Sequence, residues 1–279
     1  MRRVDGKTQI YAVLGHPVHH SRSPEIQNAA FAAAGRNAVY VALEVPAPRL
    51  DQALAGLHAA RVMGLNLTTP HKEAAFHLKS VISRTRQAEW AGAVNTLAWE
   101  PTGWRAHATD GVGFLAWVAK RRVDIRGKKV LVLGAGGAAR AILGSLFTLA
   151  PASIHIVSRT AAHAESVAKR FETSGQVASA PMDQAPAANG WQAIIRALSV
   201  EAVSKEEEAW WRAHGRDAAM FDLNYGERSS DARALARELG LAYESGEELL
   251  IQQGAASFEF WTGEKPSVQA MREALEGAE

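Results

Sequence analysis

Apolar runs of strand length alternate with helix-period patterns from one end of the chain to the other, the signature of a parallel sheet with helices on its faces. Runs at 9–15, 39–44, 64–67, 94–99 and 104–108 read as strands, the last two joined by the turn Pro101-Thr102-Gly103. Ser23 is expected to cap a helix with Pro24 in its first position, and that helix is expected to stop at Gly35. A helical pattern from Gly111 to Arg122 leads into Gly127-Lys128-Lys129, after which Val130-Leu131-Val132-Leu133 reads as a strand buried on both faces. Strands at 154–158, 193–197 and 219–223, each followed by a helical pattern, continue a doubly wound sheet to about Tyr243. Beyond it the chain reads as helical, with Ser245 expected to cap a helix through Trp261 and Ser267 another through Leu275. The pattern therefore predicts an α/β fold in two domains, the second a Rossmann-type domain opening near Gly111.

Composition narrows the function classes. A chain of 279 residues with 47% hydrophobic content lies near the size at which single cores stop growing, which agrees with two domains. Thirty-one Lys and Arg against twenty-nine Asp and Glu leave a net charge of +2, so nucleic acid is not the expected partner. With no cysteine, a disulfide framework, a thiolate nucleophile and a zinc ribbon are excluded. The basic residues at the N-terminus meet Asp5 before any apolar run, unlike an export signal. The most apolar stretch, 130–150, is broken by Arg140 and by Gly134, Gly136, Gly137 and Gly144, and reads as strand, turn and helix rather than a membrane span. A cytoplasmic protein with no membrane partner, monomer or homodimer, is expected.

Gly134-Ala135-Gly136-Gly137-Ala138-Ala139 fits G-x-G-x-x-A directly after an apolar strand and before a helical run. A pyrophosphate needs backbone close enough to donate N–H bonds, a Cβ at Gly134 or Gly136 would block that approach, and a helix N-terminus adds partial positive charge. Dinucleotide binding is favoured over a tight turn with no ligand. The next strand ends Ser158-Arg159-Thr160, and no carboxylate lies between Gly134 and Glu165 to take ribose hydroxyls. Arg159 offers a permanently charged planar fork for a 2′-phosphate, so NADP is the expected cofactor.

Hydride transfer to a carbonyl leaves an alkoxide that must collect a proton, so a donor is needed beside the reacting carbon. His16, His19, His20, His71 and His77 fall in no metal-binding spacing, and no metal is expected. Two polar groups follow strand ends, where open α/β sheets place their ligands. One is Thr68-Thr69-Pro70-His71-Lys72 and the other Thr109-Asp110-Gly111. Taken singly, Lys72 reads as a helix-surface charge and Asp110 as an N-cap.

Read together, the motifs resemble the shikimate dehydrogenase family along nearly the whole chain. Residues 15–24 look like its opening G-x-P-x-x-H-S-x-S-P, 66–72 like N-[VL]-T-x-P-x-K, and Gly92-Ala93-Val94-Asn95-Thr96 matches G-A-V-N-T. Thr109-Asp110-Gly111, Gly134 to Arg140, Ser158-Arg159-Thr160, Gln253-Gly254 and Phe260-Trp261-Thr262-Gly263 follow in the family's order. The resemblance implies reversible reduction of 3-dehydroshikimate to shikimate by NADPH. It gives Lys72 and Asp110 the proton chemistry, with Lys72 either a formal acid and base or an electrostatic clamp. It gives Ser21 and Ser23 the substrate carboxylate, and Thr68, Asn95 and Gln253 the ring hydroxyls, with Tyr225 lining the same site. Gly134, Ala135, Gly136, Gly137, Ala138, Ser158, Arg159, Thr160, Gly246 and Leu249 fall to the cofactor. Residues 1–110 with 246–279 would form the substrate domain and 111–245 the NADP domain, a cleft between them holding both ligands.

Departures from the family pattern cluster at the cofactor. Arg196-Ala197-Leu198-Ser199 stands where the family commonly has N-A-T-S, and the added cation and isobutyl group are expected to narrow the nicotinamide pocket or recruit a phosphate. Leu249 replaces a usual Met, Ser158 an Asn, Ala108 an Asn and Gln27 a His, and Tyr225-Gly226-Glu227 lacks a usual proline. These departures leave open a quinate/shikimate dehydrogenase using NAD or NADP, or a weakly catalytic ligand-binding paralogue.

Overall fold

The computed structural model describes residues 4–173, 175–184, 190–198 and 200–277. They form two compact units, one comprising the chain up to Phe114 together with the chain from Leu250 onward, the other Leu115–Leu249.

The first unit holds a six-stranded sheet of β1 (Gln9–Gly15), β2 (Ala38–Glu44), β3 (Gly64–Leu67), β4 (Val81–Arg84), β5 (Thr96–Glu100) and β6 (Gly103–His107), in the order β2-β1-β3-β5-β6-β4. β1 pairs parallel with β2 and β3, and β4 parallel with β6. β5 runs antiparallel to both its neighbours, a difference from the all-parallel expectation. The cause is local: the two-residue connection Pro101-Thr102 is too short for a crossover and permits only a hairpin. This reversal matters for the site, because it brings the start of β5 and the end of β6 to the edge where β1 and β3 terminate. The edge strand β4, half-exposed and only four residues long, has no apolar run to announce it.

Helix α1 (Ser23–Ala33) begins one residue earlier than expected, since Ser23 is its first residue rather than its cap and no side chain caps it. Short helices α2 (Leu50–Ala59), α3 (His71–Phe76) and α4 (Arg86–Ala91) link the strands, and α5 (Thr109–Lys120) leaves β6 for the second unit.

That second unit is a fully parallel sheet of β7 (Lys129–Leu133), β8 (Ser153–Ser158), β9 (Val177–Pro181), β10 (Trp191–Arg196), β11 (Ala219–Asp222) and β12 (Tyr243–Glu244), ordered β12-β11-β10-β7-β8-β9. From β7 the chain winds out through β8 and β9, then restarts at β10 on the other side, so the order reverses between β7 and β10. The reversal opens a crevice at the carboxyl ends of these strands. Val130 to Leu133 are fully buried, as a central parallel strand requires. Helices α6 (Gly137–Leu146), α7 (Ala161–Phe171), α8 (Lys205–His214) and α9 (Ser230–Leu239) connect the strands. On one side of the sheet Leu131, Leu133 and Ile194 pack with Trp191, Trp210, Trp211 and Met220.

The chain re-enters the first unit along α10 (Glu247–Thr262) and ends in α11 (Val268–Glu276). Ser267 caps α11 as expected, accepting from the Ala270 N–H at 3.2 Å. Ser245 does not cap α10; its hydroxyl is taken by the Glu247 carboxylate.

His107, closing β6, is stacked on Phe260 with ring centroids 5.0 Å apart, and its Nδ1 meets the Thr85 hydroxyl at 2.7 Å. Burial, with a smaller push from the Arg105 guanidinium, lowers the imidazole from 6.5 to about 4. The folded chain thus keeps His107 neutral while the unfolded chain protonates it. The stability this contributes is complete above pH 6.5 and is lost as pH falls toward 4, amounting to roughly 3 kcal/mol over that window. The unfolding free energy of the wild type, read from urea titrations, should therefore fall between pH 6.5 and 4 by that much more than that of His107→Gln; parallel curves would show that the imidazole does not govern acid sensitivity.

Candidate active site

Strand polarity gathers the polar residues of the first unit at one end of its sheet. The segment carrying Ser21 and leading into α1 at Ser23 leaves the carboxyl end of β1, and the segment from Thr68 into α3, which carries Lys72, leaves that of β3 alongside it. Backbone bonds tie the two, from the Thr68 N–H to the Leu14 carbonyl at 2.9 Å and from the His16 N–H to the Thr69 carbonyl at 3.0 Å. Asn95 precedes the antiparallel β5, and its N–H bonds the His107 carbonyl at the end of β6, from which Thr109 and Asp110 open α5.

Lys72 Nζ donates to Asp110 Oδ2 at 2.6 Å. The two side chains are 17% and 10% exposed, sheltered enough for the pair to persist yet open to a ligand. The other carboxylate oxygen, Oδ1, accepts from Asn95 Nδ2 at 2.8 Å. Asn95 Oδ1 in turn accepts the Thr109 N–H at 2.7 Å, so one amide fixes both the carboxylate and the first turn of α5. Gln253 on α10 approaches the same Asn95 amide, 3.5 Å away. The Lys72 carbonyl accepts from the Val94 N–H, which holds α3 against the Asn95 segment.

Beneath this pair lies a buried polar network that sequence reading missed. The Ser257 hydroxyl donates to the Gln253 carbonyl and lies 2.9 to 3.1 Å from the hydroxyls of Thr96 and Thr109 and from Asn66 Nδ2, while Tyr40 donates to Asn66 Oδ1. Buried polar groups that satisfy one another in this way fix side-chain geometry. One signal was present in the sequence: Asn66, a polar residue between Leu65 and Leu67 in the short strand run 64–67.

Ser21 and Ser23 sit together, the Ser23 N–H donating to Ser21 Oγ at 3.3 Å, and Ser23 is buried. Tyr225, half-buried, follows β11 in the second unit.

The glycine loop stands at the carboxyl end of β7. Gly134 has a φ of +117°, and a Cβ there would lie 2.5 Å from the Ala197 carbonyl oxygen. Gly136 differs: it precedes α6, and a Cβ on it would meet no atom within 4 Å. Bare backbone there faces open space rather than relieving a clash inside the protein, which is the shape a phosphate needs. No side chain caps α6 and its first turn, Gly137 and Ala138 included, holds no acid, so its N–H groups suit an anion. Ser158 is buried at the end of β8, its hydroxyl accepting from the Thr160 N–H, while Arg159 and Thr160 are exposed. These residues fit a phosphorylated dinucleotide. Gly246 is explained by packing, since a Cβ would lie 2.5 Å from the Leu223 carbonyl oxygen; Leu249, near it in sequence, is buried.

The expectation that Arg196 recruits a phosphate is overturned. Strand alternation in β10 puts 194 and 196 on one face, turned toward α8. Leu198 packs against the core containing Ile194, Trp210 and Trp211. Arg196 is 1% exposed, paired with Glu207 at 2.7 Å and Asp222 at 3.3 Å. Neither side chain reaches out to recruit a phosphate. Ser199 lies outside the described residues.

Comparisons agree with the motif order. Family models match three successive segments: the shikimate dehydrogenase substrate binding domain over residues 13–97, shikimate / quinate 5-dehydrogenase over 117–224, and the shikimate 5'-dehydrogenase C-terminal domain over 246–276. The shikimate dehydrogenase (NADP(+)) of Anaeromyxobacter sp. (strain K) is 36% identical over 280 residues, 99% of each chain. That of Rubrobacter xylanophilus is 37% identical over 282 residues, 99% of this chain and 98% of its own. Among solved structures, shikimate 5-dehydrogenase from Thermus thermophilus in complex with NADP(H) and shikimate is 30% identical with a TM-score of 0.83, covering 98% of this chain and all of the other. The ligand-free 5-ketofructose reductase of Gluconobacter sp. strain CHM43 is 27% identical with a TM-score of 0.82, over 99% of this chain and 100% of its own. With identity above one third along the full length and three successive family segments in register, the chain belongs to the shikimate dehydrogenase family.

Proposed function

We propose that the chain reduces 3-dehydroshikimate reversibly to shikimate with NADPH. The observation that carries this reading is the Lys72–Asp110 pair, held at 2.6 Å and fixed from the far side by Asn95. Bound NADPH supplies the hydride that the carbonyl carbon accepts. Lys72 Nζ, kept in place by Asp110, donates a proton to the carbonyl oxygen as negative charge gathers there, and takes it back in the reverse direction. Ser21 and Ser23 receive the substrate carboxylate, and Thr68, Asn95 and Gln253 its ring hydroxyls, with Tyr225 lining the substrate site. A substrate lacking a matched hydroxyl would leave those polar groups unpaired, which is how such a site rejects it.

On the cofactor side, residues 134–138 would hold the pyrophosphate and Ser158, Arg159 and Thr160 the 2′-phosphate, with Gly246 and Leu249 shaping the neighbouring wall. The unit formed by the chain up to about 110 and from about 246 onward is the substrate domain in this reading, and the intervening unit the NADP domain. Among the described residues no helix is long and apolar enough to cross a membrane.

The test is an absorbance assay with shikimate, quinate or a reduced ketosugar, each with NADP or NAD. Turnover is expected with shikimate and NADP. Preference for quinate, or for the ketose that a ketofructose reductase produces, would replace the substrate, and no turnover with any of them would leave a ligand-binding paralogue. Arg159→Ser should raise the KM for NADP by about tenfold to a hundredfold while sparing NAD, the loss of a charged bidentate phosphate contact. An unchanged NADP preference would remove Arg159 from the site.

A further inference from the structure

Arg196 joins four segments of the second unit. Its Nε donates to Glu207 in the first turn of α8 at 2.7 Å, and its Nη1 to Asp222 at the end of β11 at 3.3 Å. Nη2 reaches the carbonyls of Val200, Glu201 and Ala202 at 2.9, 3.4 and 3.3 Å. Asp222 is bonded further by the Tyr243 hydroxyl of β12 at 2.9 Å and by both nitrogens of Asn224, whose amide also donates to the Leu198 carbonyl at 2.8 Å. Burial raises the Glu207 and Asp222 carboxyls against the opposing pull of Arg196.

A buried cation between two buried acids gives little net stability over an apolar cluster of the same volume. What this one does provide is position. The Nη2 bonds to the carbonyls of 200–202, and the Asn224 bond to the Leu198 carbonyl, fix where the backbone goes after β10, and that backbone leaves the sheet beside Gly134, whose missing Cβ makes room for the Ala197 carbonyl. The strand order β8, β7, β10 then sets a direction. A dinucleotide with its 2′-phosphate at Arg159, after β8, and its pyrophosphate at the glycine loop, after β7, continues over the end of β10.

We propose that Arg196 is a positioning residue: by anchoring Ala197, Leu198 and residues 200–202 it shapes the seat of the nicotinamide half of NADP without touching the ligand. The inference rests on the NADP reading above. It differs from a general structural role in being confined to one half of the ligand.

Calorimetric titration of the full chain with NADP+ and with adenosine 2′,5′-bisphosphate, which lacks the nicotinamide half, separates the possibilities. Arg196→Lys keeps the charge but cannot span both carboxylates and the three carbonyls, and Glu207→Gln keeps the guanidinium but loosens its tether. In both variants NADP+ should bind about tenfold more weakly, with the bisphosphate and the KM for shikimate unchanged. Variants that remain folded by circular dichroism and bind both ligands as the wild type does would overturn the proposal. So would a proportional loss of both ligands, which marks Arg196 as a stability residue only. A wild type that binds neither ligand would remove the NADP reading itself, and the inference with it.

Discussion

Lys72→Met is expected to lower kcat by about three orders of magnitude in both directions while leaving NADP+ affinity intact, the size of effect that a positioned proton donor supplies. The reason lies in the pair's geometry. Nζ is held 2.6 Å from Asp110 Oδ2, and Asp110 is itself fixed through Oδ1 by Asn95, so the ammonium has one place to stand. Methionine keeps the length and apolar stem of the side chain, so the loss reports on the charge and the proton rather than on packing. Asp110→Asn should cost less, about a hundredfold, because the lysine remains but is no longer held by an opposite charge. Residues that act as a unit fail to add, and the double variant Lys72→Met/Asp110→Asn should be no slower than Lys72→Met alone. Single-turnover rates with shikimate and NADP+ check all three. Undiminished turnover in Lys72→Met would take the lysine out of the chemistry, and strict additivity would mean that the two residues act separately.

How far this pair could be read from the chain depended on what kind of information it needs. Lys72 and Asp110 each follow a strand end, a local property, but their meeting depends on β5 reversing direction, which sets the end of β6 beside the end of β3. The Pro101-Thr102-Gly103 turn announced the reversal, yet the alternation of strands and helices argued for parallel strands throughout. The glycine loop was legible because its requirements are local: an apolar strand, a turn that needs positive φ, and a helix start. Arg196 was misread for the opposite reason. Its neighbours in sequence suggest a loop open to the cofactor, whereas Glu207 and Asp222, 11 and 26 residues onward, draw the guanidinium inward. Ser257 escaped notice because a serine within a helix carries no signal until the residues packed on it, Asn66, Thr96 and Thr109, are known.

The glycine loop yields the second large effect, and its two glycines should fail differently. At Gly134 the backbone is pinned on both sides, its N–H bonded to the Val157 carbonyl at 2.7 Å and the Ala197 N–H bonded to the Leu133 carbonyl at 2.7 Å. A Cβ there would sit 2.5 Å from the Ala197 oxygen and 2.9 Å from its carbonyl carbon, atoms that cannot swing aside as a side chain can. The φ of +117° adds backbone strain for any other residue. Gly134→Ala should therefore lose about 2 to 3 kcal/mol of stability in the second unit. NADP+ affinity should fall about a hundredfold, because the loop can no longer start where β7 ends. At Gly136 an added methyl meets nothing in the protein, so Gly136→Ala should melt as the wild type does and yet still bind NADP+ at least about tenfold more weakly, the methyl occupying space the pyrophosphate needs. Thermal melts beside NADP+ titrations decide between a loop built for a ligand and a tight turn. If Gly136→Ala bound NADP+ with wild-type affinity, the pyrophosphate would have to be placed elsewhere, and Gly134 would be a glycine only because two strands crowd it.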